Sequence, residues 1–153
     1  MRALITFFAS AGYVGYVPVA SGTFGTLVAI PLFWGFHQLS GSPFLYLLTF
    51  VAAVAAACWI AGEAEHLFAE HDSGKIVIDE VVGYLAATLF IAPTLPNIIA
   101  AFLIFRILDV IKPFPAGYID KNVPGGTGVV LDDVVSGLYS NVILQILLLA
   151  QIL

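Results

Sequence analysis

Ten carboxylates and five Lys or Arg side chains carry the charge of this 153-residue chain. All but Arg2 fall in three short blocks, residues 63–80, 106–121 and 132–133, and polar chemistry has to come from these. The richest stretch runs from Phe105 to Pro115. There Arg106, Asp109 and Lys112 stand three residues apart and share one face of a helix. Pro113 forces Lys112 out of the helical region, which puts Asp109 in the last turn, against the negative end of the helix dipole. Arg106 alone could compensate that carboxylate; a bound cation would do so better. Asp79-Glu80 and Asp132-Asp133 are two further acidic pairs, each expected at the start of a helix, where Asp is a good cap. One cap needs one carboxylate, and two adjacent ones repel, which favours a metal ligand within each pair. Such an all-oxygen set suits Mg²⁺, which completes its octahedron with water and substrate phosphate. No His-x-x-x-His or cysteine pair of the kind zinc prefers is present.

Three weaker polar patches accompany these groups. Before the first long apolar run, Ser21 or Thr23 could cap the helix. Equally, the hydroxyls of Ser21, Thr23 and Thr26 could meet a phosphate or lipid headgroup. His71-Asp72-Ser73-Gly74-Lys75 forms a polar turn ahead of Asp79. Asp120 to Gly128 reads as a glycine-rich loop whose backbone N–H groups, at Gly125 and Gly126 above all, could face a phosphate. It is not a Walker A loop, because no Lys-Ser/Thr pair closes it, and a plain turn is the alternative. Glu63, Glu65, His66 and Glu70 are expected to be a solvated helical extension.

The elements that must position these residues are apolar helices. Hydrophobic residues make up 61% of the chain, and mean hydropathy is +1.05, far above a soluble globular domain. The reading is a single all-α domain, residues 1–153, forming a polytopic membrane bundle of four to five apolar helices. Candidate spans are residues 24–40, 44–61, 81–92, 97–110 and 134–153. The third is short unless it begins within residues 76–78. Residues 1–11 suit a short interfacial helix rather than a signal peptide. Threading the spans puts the uncharged turns 40–43 and 93–96 on one side and every charged block on the other. The positive-inside rule makes the charged side cytoplasmic. Cys58 lies at membrane depth as a small packing residue. A net charge of −5 argues against a nucleic-acid partner.

Taken together, Ser21-Gly22-Thr23-Phe24-Gly25-Thr26-Leu27, His71-Asp72-Ser73-Gly74 leading to Asp79-Glu80, and residues 105–141 resemble the phosphatidylglycerophosphatase A family. Within the last stretch the likeness rests on Arg106-Ile107-Leu108-Asp109, Lys112-Pro113, Asp120, Gly125-Gly126, Gly128 and Asp132-Asp133. The resemblance implies a bacterial inner-membrane, Mg²⁺-dependent phosphatase acting on phosphatidylglycerophosphate in the membrane, with its site facing the cytoplasm. On that basis Asp79, Glu80, Arg106, Asp109, Lys112, Asp132 and Asp133 are expected to be catalytic, and all of these but Arg106 and Lys112 to bind metal. Ser21, Thr23, Thr26, His71, Asp72, Lys112, Gly125 and Gly126 are expected to contact the substrate. Other phosphatase chemistries lack their signatures: there is no Cys-x5-Arg loop and no Lys-x6-Arg-Pro element. The competing reading is a cation or proton transporter, which would carry its acidic groups near the bilayer midplane.

Overall fold

The computed structural model describes residues 1–153, and the chain is all-helical. Its helices are α1 (Arg2–Ala9), α2 (Ser21–His37), α3 (Pro43–Phe68), α4 (Ile78–Ala87), α5 (Leu95–Ile111), α6 (Ala116–Asn122) and α7 (Gly125–Leu149). Short 3₁₀ turns at Val14–Tyr16 and Gln38–Gly41 join the first three. The turn at residues 40–43 stands as expected, with Pro43 opening α3 where its missing N–H is harmless. At the second turn Thr94 caps α5, its hydroxyl accepting the Asn97 N–H.

Helix α4 is the centre. Eight of its ten residues are buried, and it packs against α7, α2, α3 and α5. At about 15 Å it does not span hydrocarbon by itself. It begins at Ile78, inside the stretch the sequence pointed to, but stops at Ala87, short of the expected end at residue 92. Its last carbonyl is satisfied from a distance: the Asn141 amide on α7 donates to Ala87 O at 3.0 Å and, just beyond the helix, to Leu89 O at 2.8 Å.

Helix α7 departs most from expectation. It starts at Gly125, so Asp132 and Asp133 lie seven and eight residues inside it rather than at its cap. Both are buried there. The segment that read as a glycine-rich loop is therefore the end of α6, a two-residue link and, from Gly125 to Gly128, the first turn of α7. Gly126 packs against Cys58 and Gly62 of α3, with no room for a Cβ, while Ala57, Ala61 and Ala64 form the matching buried stripe. Small residues let the two backbones approach, as in membrane helix pairs.

Two helices, α3 and α7, are long and apolar enough to cross a membrane. The best window of α3 has a mean hydropathy of 2.2 yet is only 22% buried within the fold. A soluble core helix of that composition would be covered. Phe44, Leu48, Val51 and Trp59 instead face outward, as do Leu103 and Ile107 on α5.

Candidate active site

The first turns of α2 and α4, the last turn of α5 and the N-terminal half of α7 meet at one end of the bundle. Two close approaches bring them together. Gly137 packs on the Gly83 carbonyl and puts a Cβ site 2.8 Å from that of Ala86, so α4 and α7 touch along their backbones. Gly22 in α2 leaves the space that the Glu80 carboxylate fills; a Cβ there would overlap Glu80 Oε1 and stand 3.2 Å from Arg106 Nη1. The result is a cluster of Asp79, Glu80 and Asp133 with ligand atoms within 4.8 Å of one another. Asp109 stands beside them, near enough for its charge to act on both Glu80 and Asp133.

Two cations flank the cluster, each tied to carboxylates. Arg106 Nη1 donates to Asp109 Oδ2 at 2.5 Å and lies 3.9 Å from Glu80 Oε1. Arg106 and Asp109 thus share the face expected from the three-residue spacing, while Lys112 leaves it. Lys112 follows α5 with φ +48°, outside the helical region as Pro113 requires, and its N–H closes on Leu108 O. Its ammonium sits 2.6 Å from both Asp120 Oδ1 and Asp132 Oδ2. Burial alone would lower the Lys112 ammonium pKa; hydrogen bonds to Asp120 and Asp132 outweigh it and hold the group above its usual range.

The carboxylates are poorly satisfied by protein. Asp79 Oδ1, Glu80 Oε2 and Asp132 Oδ1 are buried without a hydrogen-bond partner. A buried acceptor left so costs on the order of 1–3 kcal/mol, more when charged. Burial first, then the charges of Glu80 and Asp133, pushes the Asp79 carboxyl well above the ordinary carboxylate range. Such a set is stable either protonated or around a cation, and three clustered carboxyl groups with spare oxygen lone pairs fit a hard divalent ion such as Mg²⁺.

The expected site residues separate on this geometry. Asp79, Glu80, Arg106, Asp109 and Asp133 come together in one centre. Asp132 turns away from its neighbour to Lys112, in a second group with Asp120. Ser21 begins α2 without serving as a side-chain cap, and lines an open polar cleft with Ser73, Gly74 and Lys75. Thr23 is half-buried in the same turn.

Several expectations need correction. Thr26 is wholly buried and its hydroxyl donates to Gly22 O at 2.9 Å, so it braces α2 rather than reaching a ligand. Gly126 is committed to helix packing, and Gly125, with φ +73°, is the entry to α7, where only a residue free of Cβ strain is at ease. His71 and Asp72 are exposed. Both bind the Glu65 carboxylate, His71 through Nδ1 and Asp72 through its N–H at 3.0 Å. Glu65 is thus not freely solvated: its side chain is 10% exposed and organises the turn ahead of α4. Asp72 still lies near enough for its charge to act on Asp79. Two features lie outside the expected site residues. Gly22, as the space for Glu80, was visible only as part of the Ser21–Leu27 motif, and Lys75 as a cation beside Gly74.

The chain is similar to known proteins over most of its length. The family model described as phosphatidylglycerophosphatase A matches residues 7–148. Phosphatidylglycerophosphatase A of Escherichia coli is 38% identical over 82% of this chain and 73% of its own length. The corresponding Haemophilus influenzae protein is 32% identical over 84% of this chain and 79% of its own. A Bacteroides thetaiotaomicron protein named "Putative phosphatidylinositol-3-phosphatase" is 34% identical over 86% of each chain. No solved structure matches. With nearly the whole length matched, including every element that contributes to the acidic centre, this chain belongs to the phosphatidylglycerophosphatase A family.

Proposed function

We propose that the protein is a membrane-embedded, Mg²⁺-dependent lipid phosphatase that hydrolyses the terminal phosphomonoester of phosphatidylglycerophosphate. Water is consumed, the P–O bond to the glycerol is broken, and phosphatidylglycerol and inorganic phosphate are released. Family membership supports the phosphatase activity and the lipid class. The observation that carries the site is the Asp79–Glu80–Asp133 cluster with its unpartnered buried oxygens, next to the Arg106 guanidinium.

Phosphoryl transfer depends on neutralising the phosphate more than on covalent chemistry. Asp79, Glu80 and Asp133, with Asp109 adjacent, would hold Mg²⁺, which when bound supplies positive charge to the phosphate oxygens. Arg106 is the one cation touching this cluster, and its planar fork suits a tetrahedral oxyanion as well as Asp109. Lys112 is screened by two carboxylates; its role is to fix Asp132, Asp120 and the α5–α6 turn to α7. The centre lies where α2 and α4 begin and α5 ends, against the N-terminal half of α7, at the charged end of the bundle. There it would meet headgroups at the cytoplasmic face of the bacterial inner membrane, with α2, α3, α5 and α7 as spans and α4 as the buried short helix. Transport fits this arrangement less well, because the carboxylates gather at one end rather than at mid-depth.

Purified protein in detergent micelles, given phosphatidylglycerophosphate with Mg²⁺ or with EDTA, provides the test. Phosphate release only with Mg²⁺ is the expected outcome. Release undiminished by EDTA removes the metal, and faster release from phosphatidylinositol 3-phosphate transfers the activity to another lipid.

A further inference from the structure

Two cavities outside the acidic centre lie end to end along one seam. Residues 9–18 run beside residues 74–78: Val77 N–H donates to Ala9 O at 2.9 Å, and Gly15 packs directly against the Lys75 carbonyl. At the Gly15 end is an open cleft of about 330 Å³ lined by Ser21, Ser73, Gly74 and Lys75, with Glu70 at its side. At the other end is a groove of similar volume, almost wholly apolar, between Phe8, Gly12, Val28, Leu32 and Ile78. Helix α2 measures the separation. Ser21 borders the cleft, while Val28 and Leu32 border the groove about 10 and 16 Å further along the axis, toward the uncharged end. A polar pocket followed at that depth by an apolar trough is complementary to a lipid entering from the bilayer.

The cleft also has a cation to spare. Arg106 and Lys112 are both held by carboxylates, and Glu70 accepts from the Ser73 hydroxyl at 2.6 Å. Lys75 has no carboxylate within ion-pair distance; its ammonium lies over the Tyr16 and Phe68 rings at 5.9 and 5.5 Å. The α2 N-terminus opens beside it without a side-chain cap, which adds favourable potential for an anion. Gly22, next to Ser21, abuts Glu80, so the cleft adjoins the acidic centre.

We infer that this seam seats the substrate lipid: Lys75 holds its internal phosphodiester in the cleft, and one acyl chain lies in the Phe8–Val28–Leu32 groove. The terminal phosphomonoester then reaches the Asp79–Glu80–Asp133 centre. The inference rests on the lipid-phosphatase reading and adds to it how a two-phosphate lipid is told from others.

The test compares kcat/KM on three lipids in mixed micelles: long-chain phosphatidylglycerophosphate, its dihexanoyl form, and long-chain phosphatidic acid, which has a phosphomonoester but no diester. Lys75→Met should lower the preference for phosphatidylglycerophosphate over phosphatidic acid about tenfold, the worth of one hydrogen bond to a charged group. Leu32→Trp, filling the groove at an exposed position, should lower the long-chain over short-chain ratio. Leu103→Trp, exposed on α5, should leave both ratios at the wild-type value. Because each readout is a ratio within one protein, partial loss of folding cancels. Wild-type turnover with both ratios unmoved by Lys75→Met and Leu32→Trp overturns the seating alone. A wild type that turns over none of the lipids overturns the phosphatase reading and the seating together.

Discussion

Gly22→Ala is the smallest change that should disable the centre without touching a charged residue. The added Cβ would overlap Glu80 Oε1, stand 3.0 Å from Glu80 Cδ and 3.2 Å from Arg106 Nη1. The Glu80 side chain is 14% exposed and borders Arg106, so it has little freedom to swing aside. To reach ordinary contact the carboxylate must retreat by about 1.4 Å, and displacements of even about 1 Å in a catalytic array cost roughly 10²-fold in rate. That corresponds to about 2.7 kcal/mol of barrier. Stability should change far less, since alanine gains up to about 1 kcal/mol of helix propensity over glycine, which offsets the crowding. Gly35→Ala is the matched control: the same substitution in the same helix, with nothing within 4 Å of the new methyl. The assay is phosphate release, with kcat and KM resolved, alongside thermal melting in detergent. Equal turnover by the two variants would refute the claim that Glu80 must stand where Gly22 lets it.

Three further outcomes follow from the same geometry. Gly126→Ala should lower stability by about 1–3 kcal/mol, because its methyl meets the α3 backbone at Cys58 and Gly62; lost activity at unchanged melting temperature would restore a phosphate-cradling role. The raised Asp79 carboxyl keeps a proton in the folded state that the unfolded chain has already lost, so metal-free stability should fall as pH rises from about 4 through that elevated value. Mg²⁺ replaces the proton, and the melting shift it causes should therefore be larger near pH 8 than near pH 5; a pH-independent shift would place the ion elsewhere. In a Cys58→Ala background, Ser42→Cys and Leu95→Cys should react with an impermeant thiol reagent added outside intact cells while Asn122→Cys stays protected, and the reverse pattern would invert the topology.

What was legible in the sequence was local. The Arg106–Asp109–Lys112 spacing with Pro113 marked a helix end, and the structure shows that end with Arg106 paired to Asp109, one of the two ways the sequence offered to compensate that carboxylate. Asp79-Glu80 likewise opens its helix as the acidic pair suggested. The errors arose where a distant element decides. Glycines at 125, 126 and 128 read as a loop because glycine is a poor helix former, yet the α3 backbone at Cys58 and Gly62 demands the small size of Gly126 and draws this turn into α7. Helix α4 stops at Ala87 within an apolar run because Asn141, 54 residues on, takes its final carbonyl. The split between Asp133 and Asp132 has the same origin: consecutive helical residues point about 100° apart, and only the packing of α7 on α4 and α6 decides which carboxylate meets Asp79 and which meets Lys112.

The proposed mechanism makes lipid dephosphorylation depend on a divalent ion held by the Asp79–Glu80–Asp133 cluster. It is tested most directly by titrating Mg²⁺ against phosphate release from phosphatidylglycerophosphate in wild-type protein, Asp79→Asn, Asp133→Asn and Glu63→Gln. The two Asn variants should lose most activity, by roughly 10²-fold or more, and need higher Mg²⁺ for what remains, while still melting cooperatively. Glu63→Gln, outside the centre, should match wild type in both respects. Asp79→Asn and Asp133→Asn enzymes with wild-type rates and an unshifted Mg²⁺ requirement would contradict the account.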